Sequence, residues 1–557
     1  MNRYRSLLSL VLIIAPAGLA LSGCNSRERA LTAAMESITA EEIAQHIKTL
    51  SSDEYEGRGP SSAGEEKTIA FLQQQFAALG LQPGNGDEWF QEVPLIEITT
   101  NPDTLLTVRG RNDTNVFGYG VEFIAWTKRV TRRSRIESSN MIFVGYGIVA
   151  PEYDWDDYAG IDVRGKTVVI LVNDPGFATQ DADLFTGNAM TYYGRWTYKF
   201  EEAARQGAAG ALIVHEIKPA AYPWEVVRGS WSGPQFGLVA EDKNMSRVAV
   251  EGWISIETTR TIFAQAGLDF ADLRKKAEQP GFKPVDMKLN ASVTLRNKTR
   301  RSTSNNVLGL LPGSARGDQY VIYMAHWDHL GRDDSLQDDK IFNGALDNAS
   351  GIATLLELAE AFSSLETAPE RSIIFMATTA EEQGLLGSAY YADNPIYPPK
   401  KTVAAINIDG VNIWGPMRDV TVIGHGFSEL DDYVEEAARL QQRVVRPDPE
   451  PEKGYYFRSD HFTLAKRGIP ALFTDAGVDS IEHGEEWSRA QRADYTAERY
   501  HKPSDEFDPK WDLSGAVDDA QLLFWIGSRL ANEVTFPNWR EGTEFRATRD
   551  AMFTGSP

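Results

Sequence analysis

Five side chains of types that commonly bind metal ions occur in the second half of the chain: His326, Asp347, Glu382, Asp409 and His501. Two histidines and three carboxylates are enough to hold two zinc ions that share one bridging carboxylate. The set therefore predicts a metallohydrolase with two zinc ions per chain.

Two further carboxylates stand beside these candidate ligands. Asp328 lies two residues after His326, and positions two apart at a strand end face the same way, so its carboxylate can accept from the second ring nitrogen of the histidine. Glu381 immediately precedes Glu382. Because neighbouring side chains point in different directions, one glutamate can bind metal while the other faces a bound water as a base. Taken alone, each feature has an ordinary alternative, such as a surface turn or a helix N-cap.

The elements around these residues alternate between strands and helices from Asn306 onward. Apolar runs at residues 320–325, 373–377 and 403–408 read as strands, and residues 350–364 read as a helix between them. Continuous apolar strands separated by helices indicate an α/β fold with a mostly parallel sheet covered on both faces. Ligands of such sheets bind beyond the carboxyl ends of the strands. We therefore expect the candidate ligands to meet at one edge of the sheet.

The middle third of the chain has a different character. Residues 141–147, 166–172 and 208–214 are β-type runs, and residues 198–206 read as a helix. Ligand-type side chains are not clustered there. This stretch predicts a smaller α/β domain that shapes the substrate site and takes no part in the chemistry.

Length and charge limit the possible classes of protein. A chain of 557 residues is too long for one ordinary core, so two or three domains are expected. A formal net charge of -23 argues against nucleic acid as a partner, because nothing offsets phosphate repulsion.

The amino terminus carries a secretory signal pattern. Arg3 and Arg5 precede an apolar stretch over residues 7–21, which ends in Leu21-Ser-Gly-Cys24 and resembles a bacterial lipobox. Cys24 is the one cysteine of the chain, so no intrachain disulfide can form. This pattern predicts a signal peptide over residues 1–23 and lipidation at Cys24. A lipoprotein of the bacterial cell envelope is expected, facing the periplasm from the outer membrane and held to the membrane only by its lipid.

Several motifs together resemble those of the co-catalytic zinc exopeptidases, metallopeptidase family twenty-eight. They are His326-Trp-Asp-His-Leu-Gly331, Gly344-Ala-Leu-Asp-Asn-Ala-Ser-Gly351, Ala380-Glu-Glu-Gln-Gly-Leu-Leu-Gly-Ser388, Asn407-Ile-Asp409, His501-Lys-Pro-Ser-Asp505 and, near the amino terminus, Glu56-Gly-Arg-Gly59. The resemblance implies a discontinuous peptidase domain over residues 36–115 and 300–540, with a three-layer, mostly parallel or mixed sheet. An inserted protease-associated domain would occupy residues 120–295, and residues 24–35 would be a lipidated tether.

The resemblance also implies roles for the metal ligands. His326 and Asp409 would bind one zinc, Glu382 and His501 the other, and Asp347 would bridge them.

The remaining roles implied by the resemblance concern the chemistry. Asp328 would orient His326, and Glu381 would be the general base. Either Tyr455 or Tyr456 would donate to the oxyanion. The Asp347–Asn348 peptide would be cis, by analogy.

The function that follows is an aminopeptidase acting on peptides. The alternative is a carboxypeptidase or dipeptidase of the same family, because the metal set is shared. Carboxylates beside the zinc ions would hold an ammonium group, whereas Arg458 or Arg489 would hold a carboxylate bidentately. A non-catalytic binding module or a glutaminyl cyclase on the same fold are weaker alternatives. Residues 480–495 have no assigned role, and His483 there is an alternative ligand.

Overall fold

The structure, a computed structural model, describes residues 29–334 and 336–554. The predicted signal peptide and Cys24 lie outside the described residues. The α-helices are, in chain order, α1 (residues 29–36), α2 (Ala40–Leu50), α3 (Ala63–Ala78), α4 (Pro175–Thr179), α5 (Trp196–Arg205), α6 (Ile217–Ala220), α7 (Trp224–Trp231), α8 (Ile256–Gln265), α9 (Phe270–Ala277), α10 (Ser350–Ser363), α11 (Leu386–Asp393), α12 (Leu430–Leu440), α13 (His461–Ala465), α14 (Glu485–Glu498), α15 (Ser514–Asn532) and α16 (Arg546–Thr554).

The strands are, in chain order, β1 (Gln82–Pro83), β2 (Phe90–Thr100), β3 (Leu105–Arg109), β4 (Thr114–Gly118), β5 (Phe123–Trp126), β6 (Arg133–Phe143), β7 (Val149–Ala150), β8 (Trp155–Asp156), β9 (Thr167–Leu171), β10 (Gly210–Val214), β11 (Pro234–Leu238), β12 (Val250–Ile254), β13 (Val285–Leu311), β14 (Arg316–His326), β15 (Gly331–Arg332), β16 (Ile341–Phe342), β17 (Arg371–Thr378), β18 (Thr402–Asn407), β19 (Asp419–Ile423), β20 (Val444–Pro447) and β21 (Ala471–Asp475).

The first sheet has the order β11-β2-β13-β17-β14-β18-β21-β19-β20. Its centre, β17-β14-β18-β21, is parallel, and β2, β11 and β13 extend one side in antiparallel fashion. In β14 the side chains alternate between two apolar clusters, with Val321 and Tyr323 in one and Ile322 and Met324 in the other. Burial on both faces explains why this strand reads as an unbroken apolar run, and it confirms the predicted α/β fold class.

The second sheet has the order β4-β3-β13-β6-β9-β10-β12-β5. Strand β13 belongs to both sheets, because its first half pairs with β3 and β6 and its second half pairs with β2 and β17. Residues 105–118 lie in this second sheet, although residues up to 115 were assigned to the peptidase domain. The boundary moves because β3 pairs with the first half of β13. We call residues 101–296 the insert.

The segment before α2 differs from the predicted tether. Residues 29–36 are helical, Ala34 is only 3% exposed, and Gln521 of α15 donates to the backbone carbonyl of Met35. Apolar side chains at Leu31, Ala34 and Met35 join the core and hold this helix against the domain. Within the described part of the chain, no helix combines the length and the apolar composition needed to cross a bilayer.

Candidate metal centre

The carboxyl ends of three parallel strands bring the candidate ligands together. His326 is the last residue of β14, the glutamate pair follows β17, and Asp409 lies two residues beyond β18. Because β17, β14 and β18 are neighbours and parallel, these side chains emerge at one edge of the sheet. The turn before α10 contributes Asp347, and a loop after α14 contributes His501.

The distances divide the ligands into two groups around one shared carboxylate. Nε2 of His326 lies 3.3 Å from Oδ1 of Asp347 and 3.2 Å from Oδ1 of Asp409. Nε2 of His501 lies 3.2 Å from Oδ2 of Asp347 and 3.1 Å from Oε2 of Glu382. Each oxygen of Asp347 therefore faces a different histidine and carboxylate. Such a donor set fits two dications with Asp347 between them.

A histidine with no predicted role also belongs to the site. His329 is fully buried, and its Nδ1 lies 2.6 Å from Oε1 of Glu382. One oxygen of Glu382 thus faces His329 while the other faces His501. The ligand atoms of His329, Asp347 and Glu382 also lie close enough together to hold a metal ion. Because Nδ1 of His329 already contacts Glu382, we infer that this histidine orients the glutamate. The His-x-x-His spacing of His326 and His329 was the signal in the sequence that could have identified it.

Asp328 lies beside His326, but its carboxylate does not hydrogen-bond to that ring. Its Oδ1 lies 3.7 Å from Nδ1 of His326, beyond hydrogen-bond distance, and that ring nitrogen instead lies 3.0 Å from the backbone oxygen of Asp328. The Asp328 carboxylate accepts the backbone N–H groups of Glu381 and Glu382 at 3.0 and 3.4 Å. It therefore positions the glutamate pair as well as lying beside His326.

The turn that carries Asp347 is held from two sides. The carboxylate of Asp505 accepts the backbone N–H groups of Leu346 and Asp347, both at 3.1 Å. The fully buried guanidinium of Arg58 donates to four backbone carbonyls, including those of Asn343 and Gly344. The Asp347–Asn348 peptide is cis, as the family resemblance implied.

The carboxylates of the cluster favour the protonated, positively charged form of both histidines. Burial alone lowers the pKa of His501, but Glu382 and Asp347 outweigh it and raise the pKa to about 11. Burial also opposes the charged form of His326, and nearby carboxylates again raise its pKa well above the ordinary range. The carboxylates around both histidines thus favour positive charge at this site, which bound dications would supply.

A cavity of about 1520 Å³ opens over this cluster and is lined by the peptidase domain and by the insert. Tyr455 lines it, whereas Tyr456 does not; that ring is buried against Phe427 and His461. His483 lies outside the cavity lining, 4.3 Å from the ring of Trp487.

Residues 480–495, which have no predicted role, form a turn and most of α14. Arg492 and Tyr495 of that helix line the cavity. Arg489 also lines it, but its guanidinium lies 2.7 Å from Glu485.

Parts of the sequence are similar to known peptidases. The sequence profile described as peptidase family M28 matches residues 306–525. Mouse aminopeptidase NAALADL1 is 36% identical over 138 residues, which cover 23% of this chain and 17% of the mouse protein. A Caenorhabditis elegans glutamate carboxypeptidase 2 homolog is 29% identical over 158 residues, covering 27% of this chain and 19% of that protein.

A solved structure resembles nearly the whole chain. The aminopeptidase from Aneurinibacillus sp. strain AM-1 matches with a TM-score of 0.50 at 21% identity, covering 90% of this chain and 96% of that one. At this identity the match shows a shared fold. The profile match covers the strands and loops that carry all five candidate metal ligands. The similarity to peptidase family M28 thus extends over residues 306–525 and includes this site.

Proposed function

We propose that this chain is a zinc-dependent exopeptidase that uses two zinc ions and removes amino-terminal residues from peptides. The observation that carries the proposal is the position of Asp347, whose Oδ1 faces His326 at 3.3 Å and whose Oδ2 faces His501 at 3.2 Å. One carboxylate between two histidine-containing groups is what a pair of dications requires. Zinc suits the two histidines and the carboxylates.

The chain's own residues supply the rest of the chemistry. Zinc held by these ligands would supply Lewis acidity toward the scissile carbonyl and the attacking water. Glu381 lines the cavity beside the cluster without joining either ligand group, and burial raises the pKa of its carboxyl well above the usual range. Glu381 would accept the proton of the attacking water and deliver it to the leaving amine. Tyr455, which lines the same cavity, would donate to the carbonyl oxygen.

Carboxylates around the cluster favour the amino terminus of the substrate as the end that is bound there. Glu381 and Asp409 line the cavity beside the metal ligands, whereas Asp475, which also lines it, is paired with Arg492. An ammonium group is stabilised near such carboxylates, and the names of similar proteins include several aminopeptidases. The glutamate carboxypeptidase similarity keeps carboxypeptidase activity as the second candidate.

The test uses one peptide in free, N-acetylated and C-amidated forms, with and without chelator, and follows the products by mass spectrometry. An aminopeptidase releases the first residue from the free and amidated forms and leaves the acetylated form intact. Cleavage that fails only on the amidated form would replace the proposal with a carboxypeptidase. Metal analysis of the same sample should give two zinc ions per chain, and a single ion would contradict the dizinc centre.

We also propose that Cys24 carries a lipid that holds the enzyme at the bacterial cell envelope, with the insert acting as a protease-associated domain beside the active site. The lipobox-like run Leu21-Ser-Gly-Cys24 supports the anchor. Metabolic labelling with a fatty acid should mark the wild-type protein and leave Cys24→Ser unlabelled. Equal labelling of both proteins would remove the anchor from the proposal.

A further inference from the structure

The cavity over the metal centre contains positive charge that the proposed chemistry does not use. Five cationic side chains that line it lie within salt-bridge distance of a carboxylate: Arg247, Lys453, Lys466, Arg489 and Arg492. Arg195 and Arg458 also line the cavity, and no described residue places a carboxylate within that distance of either. Lys128 likewise has no close carboxylate in the described part of the chain, but Glu251 and Glu201 act on it at longer range.

Arg195 is the more unusual of the two arginines. It exposes only 9% of its surface, and its Nε is buried without a hydrogen-bond partner among the described residues. A buried guanidinium normally pairs with a carboxylate, because an unpaired charge is strongly destabilised when it is removed from water. The neighbouring charge is instead that of Arg458, which opposes the charged form of Arg195.

The two arginines come from different parts of the molecule and converge. Arg195 immediately precedes α5 of the insert, and its Cδ lies 3.5 Å from the position that a Cβ on Gly454 would take. Arg458 follows in the same loop of the peptidase domain, with its Cζ 5.5 Å from the centre of the Tyr455 ring and its Nε also buried and unpartnered. Tyr222 lines the same cavity, and both guanidinium groups oppose the rise that burial causes in the pKa of this phenol.

We propose that Arg195 and Arg458 form a carboxylate-binding subsite of the cavity, which holds the C-terminal carboxylate or an acidic side chain of a short peptide while its amino end lies at the metal centre. Guanidinium groups bind carboxylates bidentately, and a bound carboxylate would neutralise the repulsion between the two arginines. The inference rests on the proposed function, because it assigns the far end of the same substrate. This carboxylate-binding subsite makes the enzyme selective for short or acidic peptides.

The experiment compares four tripeptide substrates: Leu-Ala-Gly as free acid and as amide, and the amides of Leu-Ala-Glu and Leu-Ala-Gln. For wild-type protein we expect kcat/KM for leucine release to be about 10- to 100-fold higher for the carboxylate-bearing member of at least one pair. Preference within the first pair identifies the C-terminal carboxylate as the ligand. Preference within the second pair identifies an acidic side chain.

The variants Arg195→Gln and Arg458→Gln should bring the preferred ratio close to one, mainly through KM. Arg489→Gln is the matched control, because Arg489 lines the same cavity but is already paired with Glu485, and it should keep the wild-type ratio. A wild-type enzyme that shows no preference within either pair would overturn the subsite. Equal loss of the preference in Arg489→Gln would overturn it as well.

Two further measurements separate this inference from a structural role and from failure of the proposed function. Arg195→Gln removes an unpaired buried charge, so its melting temperature should equal or exceed that of wild type; a large drop would assign Arg195 to the fold instead. If no tripeptide is cleaved, the proposed function fails, and calorimetric titration with N-acetyl-Ala-Gly and its amide decides the subsite. Tighter binding of the acid by wild type but not by Arg195→Gln supports it, and equal binding of acid and amide overturns it.

Discussion

At the scale of single residues, the proposed site separates groups that would hold metal from a group that would act on the substrate. Glu381 and Glu382 are neighbours in the chain, yet they meet different partners. Glu382 lies against His501 and His329, whereas Glu381 is outside both ligand groups and lines the cavity. The backbone N–H groups of both glutamates are held by Asp328, which fixes this division of roles.

Replacing Glu381 with glutamine tests its assignment as base. Glu381→Gln should keep the zinc content of wild type, because the ligand groups are untouched, and should lower kcat by about 100- to 10,000-fold. Zinc content by mass spectrometry and steady-state kinetics on the amidated peptide measure the two effects. The companion variant Glu382→Gln should lose zinc as well as activity. Full turnover in Glu381→Gln would remove this residue as the base.

The buried contact of His329 leads to a prediction about metal affinity. His329→Ala should weaken zinc binding by about 10- to 100-fold, because residues that orient a metal ligand have effects of this size. Competition with a chromogenic chelator measures the affinity. His483→Ala, a half-exposed histidine outside the cavity lining, serves as control and should bind zinc like wild type. Unchanged affinity in His329→Ala would leave that histidine with a packing role only.

At the scale of elements, the amino-terminal segment supports the catalytic loops. The turn over residues 53–58 places Arg58 beneath the metal site, where its guanidinium donates to the carbonyls of Leu50, Trp327, Asn343 and Gly344. A planar group with five donors can meet carbonyls from three chain segments at once, and an ammonium group cannot.

Arg58→Lys should therefore lower the free energy of unfolding by about 2–4 kcal/mol and weaken zinc binding. Urea denaturation of the zinc-loaded protein, together with metal analysis, tests both effects. The exposed Arg332→Lys is a suitable control and should change stability little. Equal stability of Arg58→Lys and wild type would mean that the four carbonyl contacts are replaced by water at no cost.

The packing of α10 against α2 leads to a pH prediction. Glu357 of α10 is 2% exposed and accepts the backbone N–H of Thr39, and burial followed by repulsion from Glu42 and Glu360 raises its pKa from 4.5 to about 8. The folded state therefore binds the proton more tightly than the unfolded chain. Proton binding at Glu357 stabilises the folded state fully below about pH 4.5, and this stabilisation is lost as the pH rises through 8.

Glu357→Gln keeps the acceptor for Thr39 and removes this titration. At pH 8 the variant should be more stable than wild type by roughly 2–4 kcal/mol, and near pH 4.5 the two should agree. Thermal unfolding between pH 4.5 and 8.5 measures the difference. Glu41→Gln on the exposed face of α2 should follow the wild-type profile. A stability difference that does not vary with pH would exclude the titration of Glu357 as its cause.

At the scale of the whole molecule, the two sheets are joined by a shared strand and a shared apolar core. Strand β13 runs through both, and one apolar cluster includes residues of the insert and of the peptidase sheet, such as Leu106 and Ile322. The ring of Tyr192 in the insert lies 4.8 Å from that of Phe462. Relative motion of the domains is limited by such a continuous interface.

We therefore expect one calorimetric unfolding transition for the described domains. Chelation should move that whole transition down by several degrees, because the carboxylates of Asp347, Glu382 and Asp409 lose the cations that offset their repulsion. Scans of zinc-loaded and chelated protein test both expectations. A second transition at unchanged temperature would show that the insert unfolds by itself.

The sequence by itself determined the elements whose signals are local. Apolar runs at residues 320–325 and 403–408 marked buried parallel strands, and the helix predicted over residues 350–364 is α10 in the structure. Hydrophobic period and element length depend on neighbouring residues, so they can be recognised without the fold. The motifs that resemble those of the zinc exopeptidases add the five candidate metal ligands as a prediction.

Only the tertiary structure decided which distant residues meet. The double membership of β13, the contact of His329 with Glu382 and the convergence of Arg195 on Arg458 join segments far apart in the chain. Long-range strand pairing and buried charge depend on the whole packing arrangement, which leaves no periodic mark in the sequence. Local motifs therefore predict the candidate metal centre. The arrangement of Arg195 and Arg458 on the far wall of the cavity can be seen only in the tertiary structure.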